Sequence, residues 1–115
     1  MTISEMKSIL DCTVLNGENR LDVNIDTACG ADMMSDVLAF AKERGALLTG
    51  LVNSQVVRTA EMMDMLCVVF VRGKTPDQSI VDLAAECGIV VMKTQDRMFS
   101  ACGKLYEAGL RGEVY

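Results

Sequence analysis

"MLCVVFVRGKTPDQSIVDLAAECG" (residues 65–88) decides the fold. Its first seven residues are apolar without interruption, the signature of a strand buried on both faces. Gly73, Lys74 and Thr75 follow, which raises the question of whether the strand feeds a phosphate-binding P-loop. Such a loop needs a glycine, four loop residues and then Gly-Lys-Ser/Thr, because the backbone must leave the strand before its N–H groups can wrap a phosphate. Here the first glycine is replaced by Val68, and residues 68–71 are the strand itself. The segment predicts a tight strand-to-helix turn instead: Gly73 bends, Thr75 caps, Pro76 takes the first helical position and Gln78 completes a T-x-x-Q box. Ile80, Leu83, Ala84 and Cys87 then share one helical face, and Gly88 stops the helix.

The same rhythm extends outward from this unit. Upstream, "ALLTGLV" (46–52) predicts a short apolar strand, after which Asn53 or Ser54 can cap a helix carrying Val56, Val57, Ala60 and Met63. Before it, "ADMMSDVLAFAKERG" (31–45) repeats Met34, Val37, Leu38 and Ala41 at helical spacing and places Gly45 as a left-handed stop. Downstream, "IVVMK" (89–93) predicts a buried strand and "DRMFSACGKLYEAG" (96–109) an amphipathic helix ended by Gly109. Near the start, Thr2 and Glu5 have capping-box spacing ahead of Ile3, Met6, Ile9 and Leu10, so residues 3–10 predict a helix. "DCTVL" (11–15) predicts a strand, "NGEN" (16–19) a turn, and "RLDVNID" (20–26) a strand with one face in water.

Three successive strand-then-helix units make the class α/β: a single domain, residues 1–115, with a mostly parallel central sheet and helices on both faces. Half of the residues are apolar and 23% are charged, a globular balance. A net charge of -5 argues against nucleic acid or an anionic membrane surface as partner. No apolar run reaches membrane-spanning length and "MTISEMKSIL" has no basic leader, so we expect a cytoplasmic protein.

No histidine occurs, which excludes Ser-His and Cys-His nucleophile pairs, a phosphohistidine relay and His-liganded metals. The five cysteines, Cys12, Cys29, Cys67, Cys87 and Cys102, are separated by 16, 37, 19 and 14 residues, too far apart for a zinc knuckle or an iron–sulfur loop. No metal or cluster is expected, no other cofactor is indicated, and the thiols read as small apolar fillers in a reduced compartment. Neither a G-x-G-x-x-G fingerprint nor a G-x-S-x-G elbow is present. Asp32, Asp36, Asp64 and Asp96 fall at predicted helix edges, where caps and solvated faces explain them. The chain is expected not to be an enzyme.

Three pieces carry a family resemblance: Gly30 followed by "DMMSDVLA" (32–39), the G-x-x-P turn of Gly73 and Pro76, and the closing "LYEAGL" (105–110). With them, nearly the whole chain resembles the DRTGG domain family, which is similar to the N-terminal domain of HPr serine kinase/phosphorylase. The places of the family's Asp-Arg and Thr-Gly-Gly are held here by Asn53-Ser54 and by Val71-Arg72-Gly73, so only Gly73 is kept. The resemblance implies a non-catalytic regulatory or ligand-sensing module, like those attached to CBS pairs and to phosphotransacetylase, since kinase activity resides in a separate P-loop domain. It also implies a hydrogenase or redox setting for stand-alone forms.

Two functions follow as expectations. As a sensor, the chain would hold a small anionic metabolite or nucleotide beyond the carboxyl ends of the parallel strands, among Thr49, Gly50, Asn53, Ser54, Arg72, Gly73, Lys74, Thr94 and Gln95. Arg72 and Lys74 would supply positive charge beside helix N-termini. As an adaptor, it would have no small ligand and would work through a partner protein or a homodimer, using the adaptable surface of Met33, Met34, Met62, Met63 and Met65.

Overall fold

The computed structural model describes residues 1–112. A helix α1 (Ile3–Leu10) leads into strand β1 (Thr13–Asn16) and a 3-10 turn (Glu18–Arg20). Then come β2 (Thr27–Gly30), α2 (Met34–Phe40), β3 (Gly45–Thr49), α3 (Ser54–Met62), β4 (Cys67–Phe70), α4 (Gln78–Glu86), β5 (Val90–Lys93) and α5 (Met98–Glu107). The five strands form one sheet in the order β1-β5-β4-β3-β2. β2 to β5 run parallel, each beside its sequence neighbour, and β1 closes one edge antiparallel to β5.

Alternation along the strands splits the core in two. Ala46, Leu48, Cys67, Val69, Val90 and Met92 face α1 and α5, where Ile3, Met6, Leu10, Ala101 and Leu105 meet them. Leu47, Val68, Phe70 and Val91 face the other way, onto Val37 of α2, Val56, Val57 and Ala60 of α3, and Ile80 and Ala84 of α4. All three crossover helices thus cover one face, as crossovers of one hand between successive neighbours require. Every residue of β3 and β4 is buried, which is why these strands read as unbroken apolar runs.

Three local expectations are corrected. Residues 20–26 do not form a strand. The N–H groups of Ile3 and Ser4 donate to the carbonyls of Val23 and Leu21 at 3.0 and 2.8 Å, and Ile25 donates to Met1 at 2.7 Å. The first turn of a helix has N–H groups without intrahelical partners, and the carbonyls of this turn satisfy two of them. The strand lies further on, at Thr27–Gly30, in register with Gly45–Leu48.

The second helix ends at Phe40, not at Gly45. Ala41 is extended and Arg44, with φ of 60°, is the left-handed residue. Gly45 is instead the buried first residue of β3, where a Cβ would stand 2.8 Å from Thr27 Oγ1 and 3.0 Å from the Lys42 carbonyl. Glycine is needed there for close approach.

The T-P-D-Q turn caps differently as well. α4 begins at Gln78 with Asp77 at the N-cap and no side-chain cap bond. Thr75 Oγ1 accepts from Lys93 Nζ at 3.0 Å, and the Gln78 amide reaches forward to Asp82 at 2.9 Å. Pro76 is buried and stands two residues before the helix begins, not at its first position.

Candidate functional site

Four parallel strands end on one side of the molecule, and the loops after them carry the sequence-predicted residues, of which Arg72 meets Gly50 and Gln95 meets Gly73. After β4 the chain turns through two left-handed residues, Arg72 (φ 61°) and Gly73 (φ 67°). A non-glycine in that region costs about 1 kcal/mol or more, so Arg72 is held there by its surroundings. Its N–H donates to the Asp96 carbonyl at 2.8 Å, and that of Gly73 to the Thr94 carbonyl at 2.9 Å. Val71 and Lys74 donate to the carbonyls of Thr49 (3.0 Å) and Val71 (3.3 Å). Residues 71–74 therefore offer no free amide for a triphosphate cradle.

Arg72 folds back over the neighbouring strand end. A Cβ on Gly50 would lie 2.6 Å from its Nη2 and 3.0 Å from its Nε, so the guanidinium rests against the bare Cα of Gly50. Among the described residues neither Arg72 nor Lys74 has an ion-pair partner within 4.0 Å. Gln95 packs on Gly73, where a Cβ would meet its Oε1 at 2.6 Å.

The remaining predicted residues divide by what they already bind. Asn53 is the N-cap of α3, its Oδ1 accepting from Val56 N at 3.3 Å, and Ser54 is the exposed first residue of that helix. Thr94 is buried; its hydroxyl donates to the Leu10 carbonyl at 2.6 Å and accepts from Asp96 N at 3.2 Å. Thr49 is fully buried and accepts from Leu51 N at 3.1 Å.

Asp32 is the residue that sequence reasoning places as a cap or a solvated charge and the structure places in the site. The N-cap of α2 is Met33, with no side-chain cap bond. Asp32 Oδ1 instead accepts from Gly50 N at 2.7 Å and from Thr49 Oγ1 at 3.1 Å, tying the ends of β2 and β3 together. An acid two residues past a strand-ending glycine, with Thr-Gly ending the next strand, is the signal that could have found it. Asp96, by contrast, pairs with Lys104 at 2.7 Å.

The thiols are poor nucleophiles. Burial, then the negative Asp96 and Asp11 nearby, pushes Cys12 up to about 12, and burial also raises Cys67, Cys29 and Cys102. Cys87 is raised chiefly by the neighbouring Glu61 carboxylate. Among the described residues no three His, Cys, Asp or Glu side chains gather to hold a metal ion, and no helix is long and apolar enough to cross a membrane.

The methionines separate too: Met33 and Met62 are exposed, Met34 and Met63 half-buried and Met65 buried. Exposed apolar side chains also include Phe40 of α2, and Phe99 and Tyr106 of α5. A cleft of about 130 Å³ lies between β2, from Ala28 to its last residue Gly30, Leu48 of β3 and the α5 residues Cys102 and Leu105.

The sequence model of the DRTGG domain matches residues 5–108. Among curated proteins none matches the chain. Of solved structures, the chain is similar to the CBS and DRTGG domains of the regulatory region of Clostridium perfringens pyrophosphatase, crystallised with its activator diadenosine tetraphosphate. The TM-score is 0.76 at 19% identity, over 90% of this chain and 45% of that one. The chain thus spans less than half of that regulatory region, and the likeness is one of fold.

Proposed function

The chain belongs to the DRTGG domain family, and from that membership we propose that it is a regulatory module that senses a small anionic ligand, a nucleotide or another phosphate-bearing metabolite, at the carboxyl ends of its parallel strands. One observation carries the reading: the guanidinium of Arg72, on a left-handed backbone, lies against Gly50 with no ion-pair partner among the described residues, beside exposed Lys74. A planar fork beside a bare backbone suits two oxygens of a phosphate. The Clostridium regulatory region, complexed with a dinucleoside polyphosphate activator, supports phosphate chemistry as the first class to try.

On this reading the module binds and does not catalyse, which the occupied amides of residues 71–74 and the lack of histidine support. Five free thiols support a reducing, cytoplasmic setting.

Thermal-shift titration with mononucleotides, dinucleoside polyphosphates, acyl phosphates and sugar phosphates tests the reading. At a hundredfold excess over Kd a ligand adds about 2.7 kcal/mol, on the order of 10 °C in Tm for a domain of this size. The shift is expected to vanish in the Arg72→Gln/Lys74→Gln double variant. Should it survive there, the ligand lies elsewhere.

A second reading, a protein-contact module, has Phe99 in its favour. It is 90% exposed on α5, one helical turn from Gly103 and two from Tyr106. Light scattering separates the readings: a contact module self-associates or captures a partner, ignores the phosphate panel, and loses that association on Phe99→Ser.

A further inference from the structure

The Gly50 amide and the Thr49 hydroxyl are the donors that a phosphate oxygen would take at the end of β3, and both point at a carboxylate already. Asp32 Oδ1 sits 2.7 Å from the amide and 3.1 Å from the hydroxyl, while the Arg72 guanidinium lies against Gly50 without coming within 4.0 Å of the Asp32 oxygens. An anion is thus present at the donors, yet the Arg72 guanidinium beside Gly50 has no ion-pair partner among the described residues. A phosphate can satisfy both at once, because it presents oxygens in several directions where the carboxylate presents one to this site.

What Asp32 is attached to matters equally. It immediately precedes Met33 and α2, a helix of seven residues in which Val37 alone is fully buried and whose N-cap has no side-chain bond. Leu38 and Phe40 are exposed on it, as is the N-cap residue Met33. Few buried contacts and unmatched end groups make a segment open locally at low cost. The Asp32 bonds therefore fasten this segment to the sheet, beside the Ala31 amide on the Leu48 carbonyl and the buried Val37 and Ala41.

Resting on the strand-end site read above, we propose that the Asp32 carboxylate is an internal stand-in for the ligand's anion: a phosphate docks by displacing it from Gly50 and Thr49, and the displacement unlatches α2 with its apolar side chains. Ligand and latch compete for the same donors, so occupancy of the site is converted into a change of order in a surface helix. The chemistry is exchange of hydrogen bonds, with no covalent step.

The test uses the full chain with inorganic pyrophosphate as probe, comparing wild type with Asp32→Leu and Asp32→Ala, neither of which offers an accepting oxygen, by calorimetric titration and by hydrogen exchange over residues 31–41. Removing the internal competitor is expected to tighten pyrophosphate binding at least about fivefold in either variant, within the usual range of coupling between linked equilibria. Without ligand, exchange in α2 is expected to be faster in both variants than in wild type. Pyrophosphate is expected to speed it in wild type and leave it unchanged in the variants. If pyrophosphate binds wild type but binds both variants no tighter, Asp32 does not compete, and the latch fails while the site stands. Equal ligand-free exchange in α2 of all three proteins likewise overturns the latch. Absence of binding to wild type and variants alike removes the site and the inference with it.

Discussion

Gly50 and Thr94 show how far a side chain's neighbours, and not its type, set its part in this molecule. An alanine at Gly50 would bring its Cβ to 2.6 Å from Arg72 Nη2, the far end of a flexible side chain, so the guanidinium moves and the backbone need not. We expect Gly50→Ala to change stability by less than about 1 kcal/mol, read by urea unfolding, yet to weaken phosphate binding several-fold by displacing the fork. Thr94 is the opposite case. Its hydroxyl serves the Leu10 carbonyl and the Asp96 amide, so Thr94→Val leaves two polar groups without partners and should cost about 1–3 kcal/mol. A loss confined to ligand affinity would show instead that Thr94 is a contact. From sequence, Thr49 and Thr94 read alike, as polar residues at strand ends. Strand position was legible, because β3 and β5 announce themselves by apolar runs; the commitments of each hydroxyl were not, because Leu10 and Asp32 lie 84 and 17 residues from their partners.

Among the elements, the capped helices were legible and the weakly bounded one was not. Thr2 and Glu5 form the reciprocal box that their spacing predicts, with Glu5 N to Thr2 Oγ1 at 3.1 Å, and Asn53 caps α3 as its position suggests. The end of α2 escaped because Gly45 looks like a stop; it serves the strand instead, and Ala41 carries no sequence mark of termination. Asn53 allows a clean separation of structural from functional roles. Asn53→Ala should destabilise the protein by about 1 kcal/mol through loss of the cap, whereas Asn53→Asp keeps a capping oxygen and favours the positive helix end. Chemical denaturation is therefore expected to rank Asn53→Asp at or above wild type. In the same variant the added negative charge should weaken phosphate binding, if α3 begins beside the ligand. Unchanged affinity would move the ligand away from this helix.

At the scale of the whole molecule, the parallel core was legible from the βα rhythm, since a helix between two strands returns the chain in the same direction. The antiparallel edge strand β1 and its place beside β5 were not: nothing in a four-residue strand names its partner. That placement nevertheless shapes the protein's response to alkali, because Cys12 just before β1 and Cys67 on β4 lie in the core shared by α1 and α5. Burial raises both thiols above the ordinary 9.0, Cys12 to about 12 and Cys67 further in the same direction. Each is neutral in the folded chain at pH values where the unfolded chain ionises it. The folded state then binds more protons than the unfolded, so stability falls as pH rises. The contribution is fully present below pH 9 and is lost progressively from there toward pH 12, by about 1.4 kcal/mol per thiol one pH unit above 9.0. Lysine and tyrosine titrate in the same range, so the measurement is a difference: urea unfolding at pH 8 and pH 10 for wild type, Cys12→Ala and Cys67→Ala. Each variant should start less stable at pH 8 through lost packing and then lose less than wild type on going to pH 10. Equal losses in all three would mean that these thiols ionise as readily inside the protein as outside it, and that the core on the α1 and α5 side admits water.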